Sequence, residues 1–220
     1  MGTMGVGFAT LISQIIAGVF AFIYTIKKID FLEFKKEDLV FDRSVFKEVL
    51  SYSVLTAIQQ SISSFGMMLV QGLVNTFGTM TIAAFAACSK VDEFANRPLQ
   101  DLSNAFSTYT AQNKGAGDDD RIKEGFKDIL KLIGIISIII TAISFIFAPN
   151  LIAIFVKKES TEIIAIGVKY LRFVSIFYIL LGLIVMFYGF FRGLGEIKLS
   201  VIMTIMSQVI RVALAYGLAS

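Results

Sequence analysis

The sequence has no histidine, and Cys88 is its only cysteine. Histidine is the commonest general base and metal ligand near neutral pH. Its absence speaks against a membrane metalloprotease or a His-Asp acyltransferase. One cysteine can form neither a disulfide within the chain nor a cysteine zinc cluster. Charge is also scarce. Asp, Glu, Lys and Arg make up 17% of the 220 residues, and hydrophobic residues 56%. An ordinary soluble domain carries about 25% charged and about 45–50% apolar residues. The net charge is only +3, with no basic, aromatic-rich face of the kind that reads nucleic acid. No basic region precedes the first apolar run, as a secretory signal would need. Val6 stands where a myristoylation signal after Met1-Gly2 needs Ser or Thr.

What is abundant is long apolar sequence, with a mean hydropathy of +0.77. Five stretches stand out, roughly residues 6–26, 49–77, 129–156, 163–191 and 199–219. Each reaches the about 20 residues that a membrane helix needs. A sixth begins apolar at 81–88 and then carries Ser89, Lys90, Asp92, Glu93, Asn96, Arg97 and Asp101. Hydropathy alone would stop it short; charge distribution argues for a full crossing. Lys27, Lys28, Lys35, Lys36, Arg43 and Lys47 cluster in one connection, and Lys114, Arg121, Lys123, Lys127 and Lys131 in another. The positive-inside rule puts both in the cytoplasm. The span at 49–77 leaves the first cluster, so 80–112 must return before the second. The same rule places Arg192 and Lys198 inside. It leaves the link at 77–79 outside, with Lys157 and Lys158, whose charge Glu159 and Glu162 partly offset.

The expected fold is therefore an all-α membrane protein with about six transmembrane helices and its N-terminal residues outside. Both ends fall within apolar helices, so the sequence is expected to be a piece of a longer protein. Residues 27–47 mix Lys, Glu and Asp with Phe31, Leu32, Phe34, Leu39 and Phe41. They read as a cytoplasmic connector with an amphipathic stretch at the lipid surface, and Asp42 can cap the helix that follows. The run from Asn113 to Asp118 predicts a glycine C-cap, with Asp118 or Asp119 capping the next helix.

The helix over 80–112 carries one polar stripe. Lys90, Glu93, Arg97, Asp101, Asn104, Thr108 and Gln112 follow at steps of three or four, which places them on a single face. Lys90 lies about 15 Å along the helix from Met80, near the middle of a bilayer. Glu93 can pair with Lys90 or Arg97, and Pro98 should kink the helix. Ionisable groups at this depth face a bundle interior or a water-filled cavity. The stripe therefore lines a translocation cavity or forms a buried structural ion network. Weaker stripes join Thr56, Gln60, Ser64, Met67, Gln71 and Asn75, and Ser200, Thr204, Gln208 and Arg211. Thr10, Gln14 and Thr25 share a face of the first helix. Neutral polar residues of this kind often only bond between helices, whereas the charge of Arg211 should not face lipid. The candidate cavity residues are Lys90, Glu93, Arg97, Asn104, Gln60, Gln71, Asn75, Gln208 and Arg211.

Two local patterns carry no chemistry. Gly115-Ala116-Gly117 follows a helix and lacks the Gly-Lys-Ser/Thr of a phosphate loop. Asp118-Asp119-Asp120 lacks the spaced ligands of a calcium loop and suits a solvated helix N-terminus.

The order of signals resembles the multidrug and toxin extrusion (MATE) family of the MOP flippase superfamily, over essentially the whole chain. Met4 to Gln14 resembles the "GxxGxAxATxxSQ" start of that family's sixth helix. Asn75 to Gly78, followed by Ile82-Ala83-Ala84-Phe85, is similar to its seventh-to-eighth helix junction. Ala111-Gln112-Asn113-Lys114-Gly115-Ala116-Gly117 with Arg121 resembles "GQNxGAGxxxR", with Ala111 in place of Gly, and is the most specific match. Arg192-Gly193-Leu194-Gly195 resembles the "RGxG" turn after the tenth helix, and Gln208 to Val212 the eleventh helix.

The resemblance implies two six-helix lobes related by pseudo-symmetry. Residues 1–26 would be the last helix of the N-lobe, 27–47 the inter-lobe connector, and 48–220 five helices of an incomplete C-lobe. It implies a multi-pass antiporter of the bacterial cytoplasmic membrane, not an enzyme. Such a protein exports cationic, amphipathic drugs in exchange for H⁺ or Na⁺, with no cofactor beyond the coupling ion. Its partners would be the bilayer, the cationic small molecules and the N-lobe absent from this sequence. That lobe holds the first-helix aspartate of proton-coupled members. Sodium-coupled members place acids on the seventh and tenth helices; here the seventh carries Gln59 and Gln60, and 163–191 has no Asp or Glu. Asp92 and Glu93 remain as mid-membrane acids. The alternatives are a flippase for lipid-linked sugars, which wants a more cationic cavity for pyrophosphate, and a membrane scaffold fragment that transports nothing.

Overall fold

The structure, a computed structural model, describes residues 2–28, 40–157 and 159–219. Most of the 27–47 connector, including Phe31, Leu32, Phe34, Lys35, Lys36 and Leu39, lies outside the described residues, as does Lys158. The described residues are helical, without strands. They divide into two units, Met1–Glu48 and Val49–Ser220.

The first unit holds α1, Gly2–Lys28, and the first turns of the next helix. The side chains of α1 are exposed over most of its length, as suits a helix whose solvent is lipid. Thr10 bonds the Val6 carbonyl of its own helix at 2.9 Å. α2 spans Arg43–Val74. Asp42 caps it as expected, its carboxylate accepting from the Ser44 and Val45 amides at 2.7 and 3.3 Å.

In the second unit a single 3-10 turn, Asn75–Phe77, closes α2, and Gly78 at φ 90° turns the chain into α3, Thr79–Ala116. The helix continues through Pro98, which removes one bond from its ladder. It ends in a Schellman motif. Gly117 is left-handed at φ 73°, its amide bonding Lys114 O and that of Asp118 bonding Asn113 O. Asp118 then caps α4, Asp119–Ile146, by accepting from the Arg121 amide at 3.1 Å. Lys123, Lys127 and Lys131 thus lie on the first turns of a helix, not in a loop.

Two of the expected apolar stretches are broken. In the one over 129–156, α4 ends at Ile146 with Phe147 as its cap, and Pro149 stands in the first turn of a short α5, Ala148–Ala153, where its missing amide hydrogen costs no ladder bond. The one over 163–191 splits into α6, Thr161–Ser175, and α7, Tyr178–Gly193, bent by 55°. No Pro or Gly stands at that break. Instead Thr141 donates to the Ser175 carbonyl at 2.9 Å and Ser175 to the Arg172 carbonyl at 3.0 Å. Side chains have entered the ladder, a recognised cause of a sharp bend. α8, Ile197–Ala219, completes the unit after Gly195 at φ 85°.

By length and composition α1, α2, α4 and α8 can cross a membrane, and the bent pair α6/α7 makes a fifth crossing. α3 fails on composition alone. It stands at the centre of the unit, packed on α4, α6 and α7 by its apolar face. One core cluster joins Cys88 and Val91 of α3 to Ile152 and Leu171. The other joins Leu99 and Phe106 to Ile129, Ile133 and Met186. The seam with α7 is close because of glycine: a Cβ at Gly189 would collide with Ser103, and one at Gly193 with the Ser107 carbonyl. Such small-residue contact is how helices bind where lipid removes the hydrophobic drive.

Candidate functional site

The charges of α3 stand in two adjacent rows. The outer row is the stripe Lys90, Glu93 and Arg97. Glu93 is held from both sides, with Lys90 Nζ and Arg97 Nη2 each at 3.4 Å. The three side chains are 54–70% exposed within this chain. They face an open chamber and are not buried among its helices. Open ion pairs of this kind contribute only about 0–1 kcal/mol to folding, so little stability depends on them.

One residue round the helix, a second row runs Ser89, Asp92, Asn96 and Gln100. Asp92 is the pivot. It is half-buried, and Tyr178 donates its phenolic hydrogen to the carboxylate at 2.5 Å. Tyr178 is 1% exposed. It is the first residue of α7, at the 55° break. Two helices, α3 and α7, thus meet through one carboxylate at the bend.

Both rows line one chamber of about 700 Å³, closed on other sides by Gln60 and Met67 of α2, Tyr170 of α6, Arg192 of α7 and Arg211 of α8. Of the residues expected from the sequence, Gln60, Lys90, Glu93, Arg97, Asn104 and Arg211 are brought together here. Asn104 accepts from Arg192 at 3.0 Å. Gln71 of α2 and Asn75 of the 3-10 turn are not among the chamber's lining residues and bond each other at 3.0 Å. Gln208 packs on Gly66 at the contact of α2 and α8, its side-chain oxygen buried without a partner. Ser200 and Thr204 of the same stripe are buried, and Gln59 reaches them, donating to Ser200 O at 3.2 Å and Thr204 Oγ1 at 2.8 Å.

Sequence reasoning named Asp92 only as one of two mid-membrane acids and left it, with Tyr178, Tyr170 and Arg192, out of the candidate cavity residues. A signal for Asp92 existed: Ser89, Asp92, Asn96 and Gln100 repeat at helical spacing beside the chosen stripe. Tyr178 carried none, since only the fold brings it to α3.

Comparison with known proteins agrees with this architecture. The MatE family model matches residues 55–217. Two relatives come from Bacillus subtilis. "Probable multidrug resistance protein YpnP" is 25% identical over 208 residues, covering 94% of this chain and 46% of the relative. "Probable multidrug resistance protein YoeA" is 26% identical over 168 residues, covering 75% and 36%. Among solved structures, a MOP superfamily transporter from Pyrococcus furiosus superposes with a TM-score of 0.91 at 22% identity, covering all of this chain and 49% of that one. An outward-facing multidrug resistance MATE family transporter gives 0.90 at 22%, covering 98% and 49%. Those two likenesses are of fold. The chain spans about half the length of these relatives or less.

Proposed function

The chain belongs to the MatE family of multi-pass membrane transporters, and on that premise we propose that it serves a secondary active antiporter exporting cationic, amphipathic drugs in exchange for H⁺ or Na⁺. The membrane would be a bacterial cytoplasmic membrane, a reading that relatives from Bacillus subtilis support. The observation that carries the reading is the chamber of about 700 Å³ on α3, lined by ionisable groups in membrane-spanning helices. Such groups are expensive in a bilayer and mark ion and substrate pathways. Lys90, Glu93, Arg97 and Arg211 form its charged wall. Asp92 and Glu93 are the acids that a coupling proton or sodium ion would meet.

Alternating access needs an element with two arrangements. Glu93 sits between two cations and can exchange one for the other. Asp92 holds the first residue of α7 beside a bend that hydrogen bonds, not proline, maintain. A proton or cation arriving at Asp92 competes with Tyr178, which links occupancy to the geometry of α7. The test is efflux from inverted vesicles bearing the protein as its gene encodes it. Export of a fluorescent drug that stops when the proton and sodium gradients are collapsed supports antiport. Export that continues unchanged without either gradient overturns it.

A further inference from the structure

The outer part of α6 carries two basic side chains that do not face the chamber. Lys169 and Arg172 are both exposed and stand one turn apart on one face of the helix. Tyr170, between them in sequence, lines the chamber, and Leu171 is buried in the core. The basic pair points away from both. Basic residues in membrane helices almost always turn to a bundle interior or a water-filled cavity, so this placement calls for a partner on the lipid side. α4 begins at the basic cluster that the positive-inside rule puts in the cytoplasm. Phe145 lies about 21 Å along α4 from Lys131, and in a hydrocarbon core about 30 Å thick that is the outer leaflet. Arg172 is fixed at the level of Phe145. Its Nε donates to the Phe145 carbonyl at 3.2 Å, and its guanidinium carbon sits 5.3 Å from the centre of the Phe145 ring.

Beside Phe145 a groove of about 380 Å³ runs between α4 and the bent pair α6/α7. Ala142, Phe145 and Ile146 wall it on one side, Ile176 and Ile179 on the other, and Ile138 lies at its inner end. Its one hydroxyl, on Thr141, is already engaged with the Ser175 carbonyl, so the lining is apolar. Lys169, Arg172, Ile176 and Ile179 follow at steps of three or four along the bent pair. Two charges thus stand toward the outside and two apolar side chains toward the membrane centre. Ile138 and Ile179 lie about 10 Å deeper along their helices than Phe145 and Arg172. Among the described residues no carboxylate pairs with Lys169 or Arg172. The Phe145 bond uses the Nε of Arg172, which leaves the two terminal nitrogens as a fork of the shape that takes a phosphate.

We propose that α4 and α6/α7 hold one anionic phospholipid of the outer leaflet, its phosphate on Lys169 and Arg172 and one acyl chain in the groove. The order of the stripe points to this occupant. Cations above an apolar channel match the order of phosphate and chain in a lipid of that leaflet, and long basic side chains reach toward the phosphate level. An extended peptide in the same groove would leave its backbone groups unpaired in an apolar surrounding, because the only hydroxyl there is engaged. The acyl chain touches Ile176 before the bend and Ile179 after it, so the lipid bears on both arms of the bent pair. The site lies outside the charged chamber and does not depend on what that chamber carries.

The test uses the protein as its gene encodes it, purified in mild detergent. The probes are phosphatidylglycerol and phosphatidylcholine with identical oleoyl chains, and bound lipid is counted by native mass spectrometry. Wild type should hold phosphatidylglycerol about tenfold more tightly than phosphatidylcholine, since each basic side chain at a lipid surface adds attraction for an anionic head. The double variant Lys169→Gln with Arg172→Gln should lose that preference. Equal binding of the two lipids by wild type overturns the proposal, and that comparison needs no variant to fold. A folded double variant that keeps the preference overturns it too. Placement has its own readout. The chain contains no tryptophan, so Ile179→Trp puts a fluorophore in the groove. Its emission, taken as the difference from the parent protein, should be quenched by one equivalent of phosphatidylglycerol brominated on its acyl chains. An unquenched tryptophan means that another part of the protein fills the groove, and the proposal fails.

Discussion

Tyr178 donates its phenolic hydrogen to Asp92, and this one bond ties the start of α7 to the middle of α3 across the bend of α6 and α7. Removing it with Tyr178→Phe leaves the apolar ring in place and strips a half-buried carboxylate of its donor. The expected cost is about 1–3 kcal/mol, read as a lower unfolding midpoint in detergent. Asp92→Asn keeps an acceptor for the phenol and should cost less. Equal midpoints for Tyr178→Phe and wild type would show that the bond does not hold the bend.

Glu93→Gln separates function from stability. Its two ion pairs are open to the chamber, so the unfolding free energy should stay within about 1 kcal/mol of wild type. Transport should fall, because Lys90 and Arg97 lose the charge they share. Unchanged transport would remove Glu93 from the mechanism.

The seam between α3 and α7 depends on absent side chains. Gly189→Ala and Gly193→Ala each force a methyl against Ser103 or the Ser107 carbonyl, and overpacking of this kind costs about 1–3 kcal/mol. Gly134 in α4 has nothing within 4 Å of the added methyl. Gly134→Ala should therefore stabilise by about 0.5–1 kcal/mol, since alanine has less freedom to lose. Thermal unfolding of the three variants side by side checks both signs.

α2 is joined to α8 by few polar contacts. Gln59 supplies two of them, to Ser200 O and Thr204 Oγ1. Gln59→Leu should lower the unfolding midpoint and increase proteolysis of α8. An unaltered digestion pattern would mean that packing alone seats that helix.

Much of this was legible in the amino-acid order. The apolar stretches were long enough to read as spans. α3 was recovered against its own hydropathy because two basic clusters demanded a return crossing. The caps at Asp42, Gly117 and Asp118 were local and read correctly. What escaped was tertiary. The bend at Ser175 has no breaker residue and exists because Thr141 takes a carbonyl from the ladder. Tyr178 looked like one aromatic among many until the bend delivered it to Asp92. The apparent stripe of α2 divides in space, with Gln60 and Met67 on the chamber and Gln71 paired with Asn75, because periodicity reports a face and not what covers each turn of it.

The central claim, that this chamber belongs to a gradient-driven export path, is tested most directly by exchange in proteoliposomes of wild type and Asp92→Asn. With an imposed proton or sodium gradient, wild type should move drug against its concentration gradient. Asp92→Asn, still folded, should bind drug but lose gradient-driven movement. Equal uphill transport by the two proteins would contradict the account.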